Sequence, residues 1–214
     1  MSGPKILIIV NGAMDDYSAY LLVVASSDYI ICVDGGTNHA FRMGLKPDLI
    51  VGDLDSIEPA VRDHYQQQDC TFQTFPAEKD ESDLQLALDE AAARQPSLIT
   101  IIGALGRRFD HAFGNVSLLS SLCNRGINAQ IVDATHTIHV FDRELVVTGK
   151  TGDYLSLFAL TPQAEGVTTE ALKYPLRAET LYAGDTRGLS NELLGSAARV
   201  TVKSGKLLAI HVKK

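Results

Sequence analysis

LITIIGALGRRFDHAFGN, residues 98–115, passes from an unbroken apolar run through a glycine-rich turn into a stretch with helical spacing. A short continuous apolar run bounded by turn residues suits a strand buried on both faces. The helix that follows is expected over Asp110–Arg125, with Gly126 as its stop. The same alternation recurs upstream. Lys5–Val10, Tyr29–Val33, Leu49–Val51, Thr71–Phe75 and Ala129–Val132 read as further buried parallel strands. Between them, Asp83–Arg94 places Leu84, Ala87, Leu88 and Ala91 on one helical stripe. Strand–helix alternation of this kind predicts an α/β domain with a mainly parallel sheet flanked by helices.

The pattern changes near Asp133. Thr135–Phe141, Glu144–Val147, Tyr154–Ala159, Gly166–Leu172, Ala197–Val202 and Lys206–His211 alternate with period two. Turn residues at Gly149, Gly152, Pro162, Gly184–Asp185 and Ser204–Gly205 separate them. This predicts a smaller all-β domain, a sandwich or barrel. The division expected is residues 1–135 and 136–214.

Bulk properties exclude several classes. The 214 residues are 45% hydrophobic, enough for a substantial core, and the net charge of −7 argues against nucleic acid as a partner. No run approaches the length of a membrane helix, and no signal segment is evident, so a soluble cytoplasmic protein is expected. Cys32, Cys70 and Cys123 are far apart and read as reduced thiols.

In doubly wound α/β folds, ligands gather beyond the carboxyl ends of the strands. Four segments in that position stand out. Asp34-Gly35-Gly36-Thr37-Asn38 lets the backbone turn sharply against a ligand, though it also suits a plain turn into a helix. Gly52-Asp53-Leu54-Asp55-Ser56 places two carboxylates on one face if the chain is extended, and a magnesium ion would relieve their repulsion. An isolated pair of this kind is otherwise a solvated loop. Asp80-Glu81-Ser82-Asp83 opens a helix, with Asp80 as the expected N-cap and Asp83 as either a capping acid or a metal ligand. Gly103 to His111, with Asn115 beyond it, joins glycines, two arginines and a helix start, which suits phosphate oxygens. Together these point to magnesium-dependent chemistry on a phosphate ester. They do not name a substrate.

In this order the segments resemble the thiamine pyrophosphokinase family, whose pattern joins a DGG-x-N turn, a GD-x-DS loop, an acidic helix start and a glycine–arginine–DH segment. Here they stand as DGGTN (34–38), GDLDS (52–56), DESD (80–83) and GALGRRFDH (103–111). ALKYPL (171–176) and GLSNE (188–192) resemble two stretches of the family's β domain. Ser82 replaces the usual Thr and Ala171 the usual Gly.

The resemblance implies transfer of a pyrophosphoryl group from ATP to the hydroxyl of thiamine, with release of AMP. It implies magnesium at Asp53, Asp55 and Asp83, with Arg107 and Asp110 at the phosphates. Asp34, Gly35, Gly36, Asn38, Asp80, Ser82, Gly103, Gly106, His111 and Asn115 would border the nucleotide. Thiamine would meet Ser190, Asn191 and the ring of Tyr174, the last either a wall for the cation or a core aromatic. It further implies a homodimer with each thiamine site shared between subunits. Arg107 is preferred over Arg108 for its spacing to Asp110. A related pyrophosphokinase for another heterocycle, a nucleotide-sugar transferase using GDLDS, and a non-catalytic nucleotide-binding module are the competing readings.

Overall fold

A computed structural model describes residues 3–76, 78 and 80–214, and the chain divides into two compact units, Met1–Ala134 and Thr135–Lys214. The first is built on strands β1 (Lys5–Ile9), β2 (Tyr29–Val33), β3 (Leu49–Gly52), β4 (Thr71–Thr74), β5 (Leu98–Ile102) and β6 (Ala129–Val132). They run in the order β6-β5-β1-β2-β3-β4, and all five pairings are parallel. Helices α1 (Leu21–Ala25), α2 (Gly36–Arg42), α3 (Pro59–Gln67), α4 (Asp83–Ala93) and α5 (Phe109–Asn124) connect or follow them.

The central strand explains its own sequence. Ile6, Leu7, Ile8 and Ile9 of β1 are buried without alternation, because helices cover both faces of a parallel sheet. The edge strand β4 has no buried residue. Helix α4 buries Leu84, Ala87, Leu88 and Ala91, the stripe its spacing predicts. Helices α1, α2 and α3 are not marked by a comparable stripe; α3 buries only Val61 and Tyr65.

The strand order fixes where a ligand fits. The chain winds outward from β1 to β4, then returns to place β5 on the other side of β1. The direction of winding therefore reverses between β1 and β5, and the loops leaving those two strands diverge to open a crevice.

The second unit is a sandwich of two antiparallel layers. Strands β7 (His136–Phe141), β9 (Tyr154–Ala159), β12 (Asn191–Glu192) and β14 (Leu207–Val212) form one, in the order β12-β9-β14-β7. Strands β8 (Glu144–Thr148), β10 (Gln163–Glu170), β11 (Glu179–Tyr182) and β13 (Ala197–Thr201) form the other, in the order β11-β10-β13-β8. Leu155, Leu157, Leu207 and Ala209 face Val147, Ala164, Val167, Leu181 and Val200 in one apolar core. β10 starts earlier than expected, because Gly166 (φ +65°) lies at a shift in register between Ala164 and Val167 rather than in a turn before the strand. The short β11 and β12 have no periodic signal of their own. The cysteines form no disulfide among the described residues.

One polar cluster sits within this unit. Asp153 and His211 are each 3% exposed, with His211 Nε2 3.0 Å from Asp153 Oδ2. The Asp153 carboxylate also accepts the Lys150 and Lys214 backbone N–H groups. These bonds, the Lys150 N–H first, hold its pKa down at about 2. That stabilisation is present above the ordinary carboxylate range and is lost as pH falls from about 4 towards 2. Asp153→Ala should cost about 3 kcal/mol in urea unfolding at neutral pH, because it strands a buried histidine and two N–H groups. A loss below about 0.5 kcal/mol would show the cluster to be energetically idle.

Candidate active site

The loops after β1, β2, β3 and β5 and the start of α4 surround a cavity of about 480 Å³. Its walls include Asn11, Gly12 and Ala13, then Asp34, Ser56, Ser82 and Asp83, and then Gly103, Gly106, Arg107, Arg108, His111 and Asn115. It therefore lies at the β1–β5 switch point.

Asp34 is the centre of the acidic wall. Its backbone takes a left-handed turn (φ 44°) immediately after β2, and its Oδ1 accepts the Leu54 N–H at 3.2 Å. Its carboxyl group lies close enough to Asp83 and Asp53 to feel the charge of both. Burial first, then these neighbouring acids, raise its pKa to about 7, against the opposing pull of the Leu54 N–H. Two carboxylates in contact require a proton or a cation between them.

Two glycine positions make this geometry possible. A Cβ on Gly36 would lie 2.1 Å from the Ile9 carbonyl oxygen, so glycine lets the start of α2 press against the end of β1. Gly52 has φ +140°, and a Cβ there would stand 1.7 Å from Asp34 Oδ1. Gly52→Ala should therefore displace the Asp34 carboxylate. We expect at least a 100-fold fall in turnover together with a fall in Tm, by analogy with sterically blocked catalytic groups. Wild-type turnover in that variant would show that the position of Asp34 does not matter.

The structure revises two expectations drawn from the sequence. Asp53 and Asp55 do not share a face by strand alternation, because Leu54 between them is buried and left-handed (φ 68°). Asp53 Oδ1 instead accepts the Asp55 N–H at 3.1 Å, and the exposed Asp55 takes the Ser56 hydroxyl at 2.7 Å. Among the described residues, no three His, Cys, Asp or Glu side chains stand as a ready-made metal cage. The second revision concerns the helix cap. Ser82, not Asp80, caps α4, accepting the Gln85 N–H at 3.2 Å, which leaves Asp83 as the first helical residue. Asp80 is exposed ahead of the helix.

Across the cavity, Arg108 turns back onto Asp110 through two bonds, at 2.6 and 3.2 Å, and holds the Asp110 carboxyl down at about 2. Arg107 lines the cavity and forms no ion pair among the described residues. Two amides hold walls in place. Asn115 Nδ2 donates to the Ala104 carbonyl at 2.9 Å, and Asn38 bridges the Ser56 carbonyl and the Glu58 N–H. The Asn11–Ala13 wall is a contribution not anticipated from the sequence. It satisfies the criterion that singled out the other loops, a polar and glycine-containing break straight after an apolar strand.

In the second unit, Asn191 Nδ2 donates to the Tyr174 carbonyl at 2.6 Å, and its Oδ1 accepts the Tyr174 N–H at 2.9 Å. Asn191 thus pins the Tyr174 loop. Ser190 beside it is exposed and left-handed (φ 56°). The Tyr174 ring is 55% exposed rather than packed in the core, and the Lys173 ammonium lies 5.5 Å from its centroid.

An acid-lined crevice at the switch point of a parallel sheet, with Arg107 in its lining, suits the catalytic part of a phosphate-transferring enzyme. Comparison with known proteins gives the family. Residues 20–131 match the thiamin pyrophosphokinase catalytic domain, and residues 135–207 match the thiamin pyrophosphokinase vitamin B1 binding domain. Thiamine pyrophosphokinase of Bacillus subtilis (strain 168) is 31% identical over 212 residues, which cover 98% of this chain and 94% of that protein. The crystal structure of the Bacillus subtilis enzyme superposes with a TM-score of 0.88 at 29% identity, covering 98% of this chain and 99% of that one. The thiamin pyrophosphokinase of Geobacillus thermodenitrificans gives 0.83 at 29% identity, with 98% of each chain covered. The chain belongs to the thiamin pyrophosphokinase family, enzymes that form thiamine diphosphate.

Proposed function

We propose that this chain transfers the pyrophosphoryl group of ATP to the hydroxyl of thiamine, releasing AMP. The observation that carries this is the Asp34–Asp83 carboxyl pair at the β1–β5 switch point, in the same cavity as Arg107. A pair of this kind fits Mg²⁺, which takes one or two protein carboxylates and completes its shell with water and phosphate oxygens. Asp34 and Asp83 would hold the ion, with Asp53 beside them and Asp55 at the outer lip of the loop. Bound there, the ion supplies charge neutralisation of the triphosphate.

The chain's own residues do the rest. Arg107 offers its guanidinium to the phosphate oxygens as they gain charge. Asn115 and Asn38 keep the facing loops at fixed spacing, so that the alcohol oxygen and the β-phosphorus can be aligned. Gly103, Gly106, Ser82 and His111 border the same space; Gly35 and Gly36 follow Asp34 into α2, and Asp80 and Asp110 lie two residues from Ser82 and from Arg108 in the chain. In the transfer, a bond forms from the thiamine oxygen to the β-phosphorus as the bridging bond to AMP breaks.

Thiamine is taken up at the exposed cluster of Tyr174 and Ser190, whose loop Asn191 supports. The Tyr174 ring already has one cation over its face, which is the chemistry a thiazolium needs. Two subunits share each thiamine site, and sedimentation should give twice the monomer mass. Among the described residues no helix is long and apolar enough to cross a membrane. A cytoplasmic location, where ATP is supplied, accords with this reading.

The decisive experiment incubates purified chain with ATP and MgCl₂, with and without thiamine, and separates the nucleotides by chromatography. AMP should appear only with thiamine, in a one-to-one ratio with thiamine diphosphate. AMP without thiamine, or ADP in its place, would overturn the reading, as would transfer to a pterin alcohol but not to thiamine.

A further inference from the structure

His39 is 7% exposed on α2 and belongs to none of the acidic or basic groups already described. Its Nε2 lies 2.9 Å from the Gly12 carbonyl oxygen, and its Nδ1 lies 2.8 Å from the Tyr17 hydroxyl. A carbonyl oxygen can only accept, so Nε2 carries the hydrogen. In the neutral ring Nδ1 then accepts the Tyr17 O–H. Burial, with the Arg42 charge acting in the same direction, lowers the His39 pKa and keeps the ring in that form. Arg42 in turn lies near Tyr17 and bonds to Glu58 at 2.6 Å.

The consequence falls on the wall of the cavity. The Gly12 N–H donates to the Gly103 carbonyl at 2.7 Å, and the Gly12 carbonyl is held by His39. Two successive peptide planes are thereby fixed. In a trans peptide, the carbonyl and the following N–H point in opposite directions. With the Gly12 carbonyl aimed at His39, the Ala13 N–H is aimed away from it. Among the described residues no hydrogen bond uses that N–H. Ala13 lines the cavity, and its nitrogen stands 3.9 Å from where a Cβ on Gly106 would sit, beside the Gly103–Arg107 loop.

We propose that His39, oriented by Tyr17, is a positioning residue that locks the Gly12–Ala13 peptide so that the Ala13 N–H is presented to a phosphate oxygen of the nucleotide. This rests on the reading of the cavity as the ATP site. The chemistry required is an anionic oxygen acceptor, and thiamine has none.

The test uses the full chain with His39→Asn, His39→Gln and Tyr17→Phe. A glutamine amide nitrogen can take the place of Nε2, whereas that of asparagine reaches only the place of Nδ1. His39→Asn should raise the KM for ATP, and the Kd for ATP by calorimetry without thiamine, about tenfold, the worth of one lost hydrogen bond. The KM for thiamine should be unchanged. His39→Gln should stay within about threefold of wild type, and Tyr17→Phe should fall between the two. Imidazole ¹⁵N shifts of the wild type should show the Nε2–H form. An Nδ1–H ring, equal damage from Asn and Gln, or a loss shared by both substrates would overturn the proposal. Absence of AMP formation by the wild type would sink the functional reading instead. In that case the calorimetric and ¹⁵N results would still decide the His39 inference.

Discussion

Asp83→Asn should lower kcat by about 10³-fold and, unusually for an active-site change, should raise the Tm of the metal-free protein at pH 8. Both effects come from one contact. In the wild type, Asp83 stands close enough to Asp34 for its charge to raise the Asp34 pKa, so the two carboxylates repel once both are ionised. The sign of the pH dependence follows. The folded-state pKa of Asp34, about 7, lies above its ordinary value of 3.8, so the folded protein keeps a proton that the unfolded chain releases. That contribution is fully present below the ordinary value and is lost as pH rises through 7. A divalent cation takes over the proton's role, so MgCl₂ should raise the Tm more at pH 8 than at pH 6. In Asp83→Asn the repulsion is gone, and the pH dependence should flatten. Burial, the largest cause of the shift, remains, so some slope persists. The magnesium increment should disappear along with activity. Calorimetry at pH 6 and pH 8, with and without MgCl₂, checks all of this. A variant that loses several degrees at both pH values and keeps its magnesium response would show that Asp83 braces the fold and holds no cation.

The α/β unit was legible because its inner strands are mostly apolar. β1 and β5 are buried on both faces, and after Lys5 only Thr100 interrupts their apolar signal. α4 was legible because its stripe is complete, and the sandwich because its strands alternate. The loops were visible as positions but not as shapes. Leu54 is an ordinary apolar residue in sequence, and only its contacts hold it at φ 68°. That single dihedral breaks the extended run from Asp53 to Asp55 and undoes the alternation argument. The contact between Asp34 and Asp83 joins a turn after β2 to the start of α4, and no spacing rule couples two elements so far apart in the chain. Asn191 read as a ligand because its stretch, GLSNE (188–192), resembles one in the family's β domain. Its amide bonds both polar groups of the Tyr174 backbone, a role that the sequence does not show. His39 carried no signal, since a buried histidine on a helix is chemically silent until its partners are known.

The other large effect is expected at the arginine pair, where neighbours in sequence should behave differently. Arg108 commits its Nε and Nη2 to Asp110, and both side chains are well exposed, 69% and 64%. Such a pair adds little to stability in water, but it cancels the charge that Arg108 could direct at an anion. Arg107 lines the same cavity with no ion pair among the described residues, so all five of its N–H donors remain to be given. Arg107→Ala should therefore lower kcat/KM for ATP by about 10²- to 10³-fold, the scale seen when a charged donor to a transferring group is removed. Arg108→Ala should stay within about fivefold. Arg107→Lys should recover less than about tenfold of the loss, because an ammonium keeps the charge but not the planar fork that matches two phosphate oxygens. Steady-state kinetics with ATP varied at saturating thiamine separates these cases. If Arg108→Ala is the crippled variant, then substrate must draw Arg108 off Asp110. Asp110→Ala should in that event raise the affinity for ATP, and with Arg107 reading the phosphates it should leave that affinity unchanged.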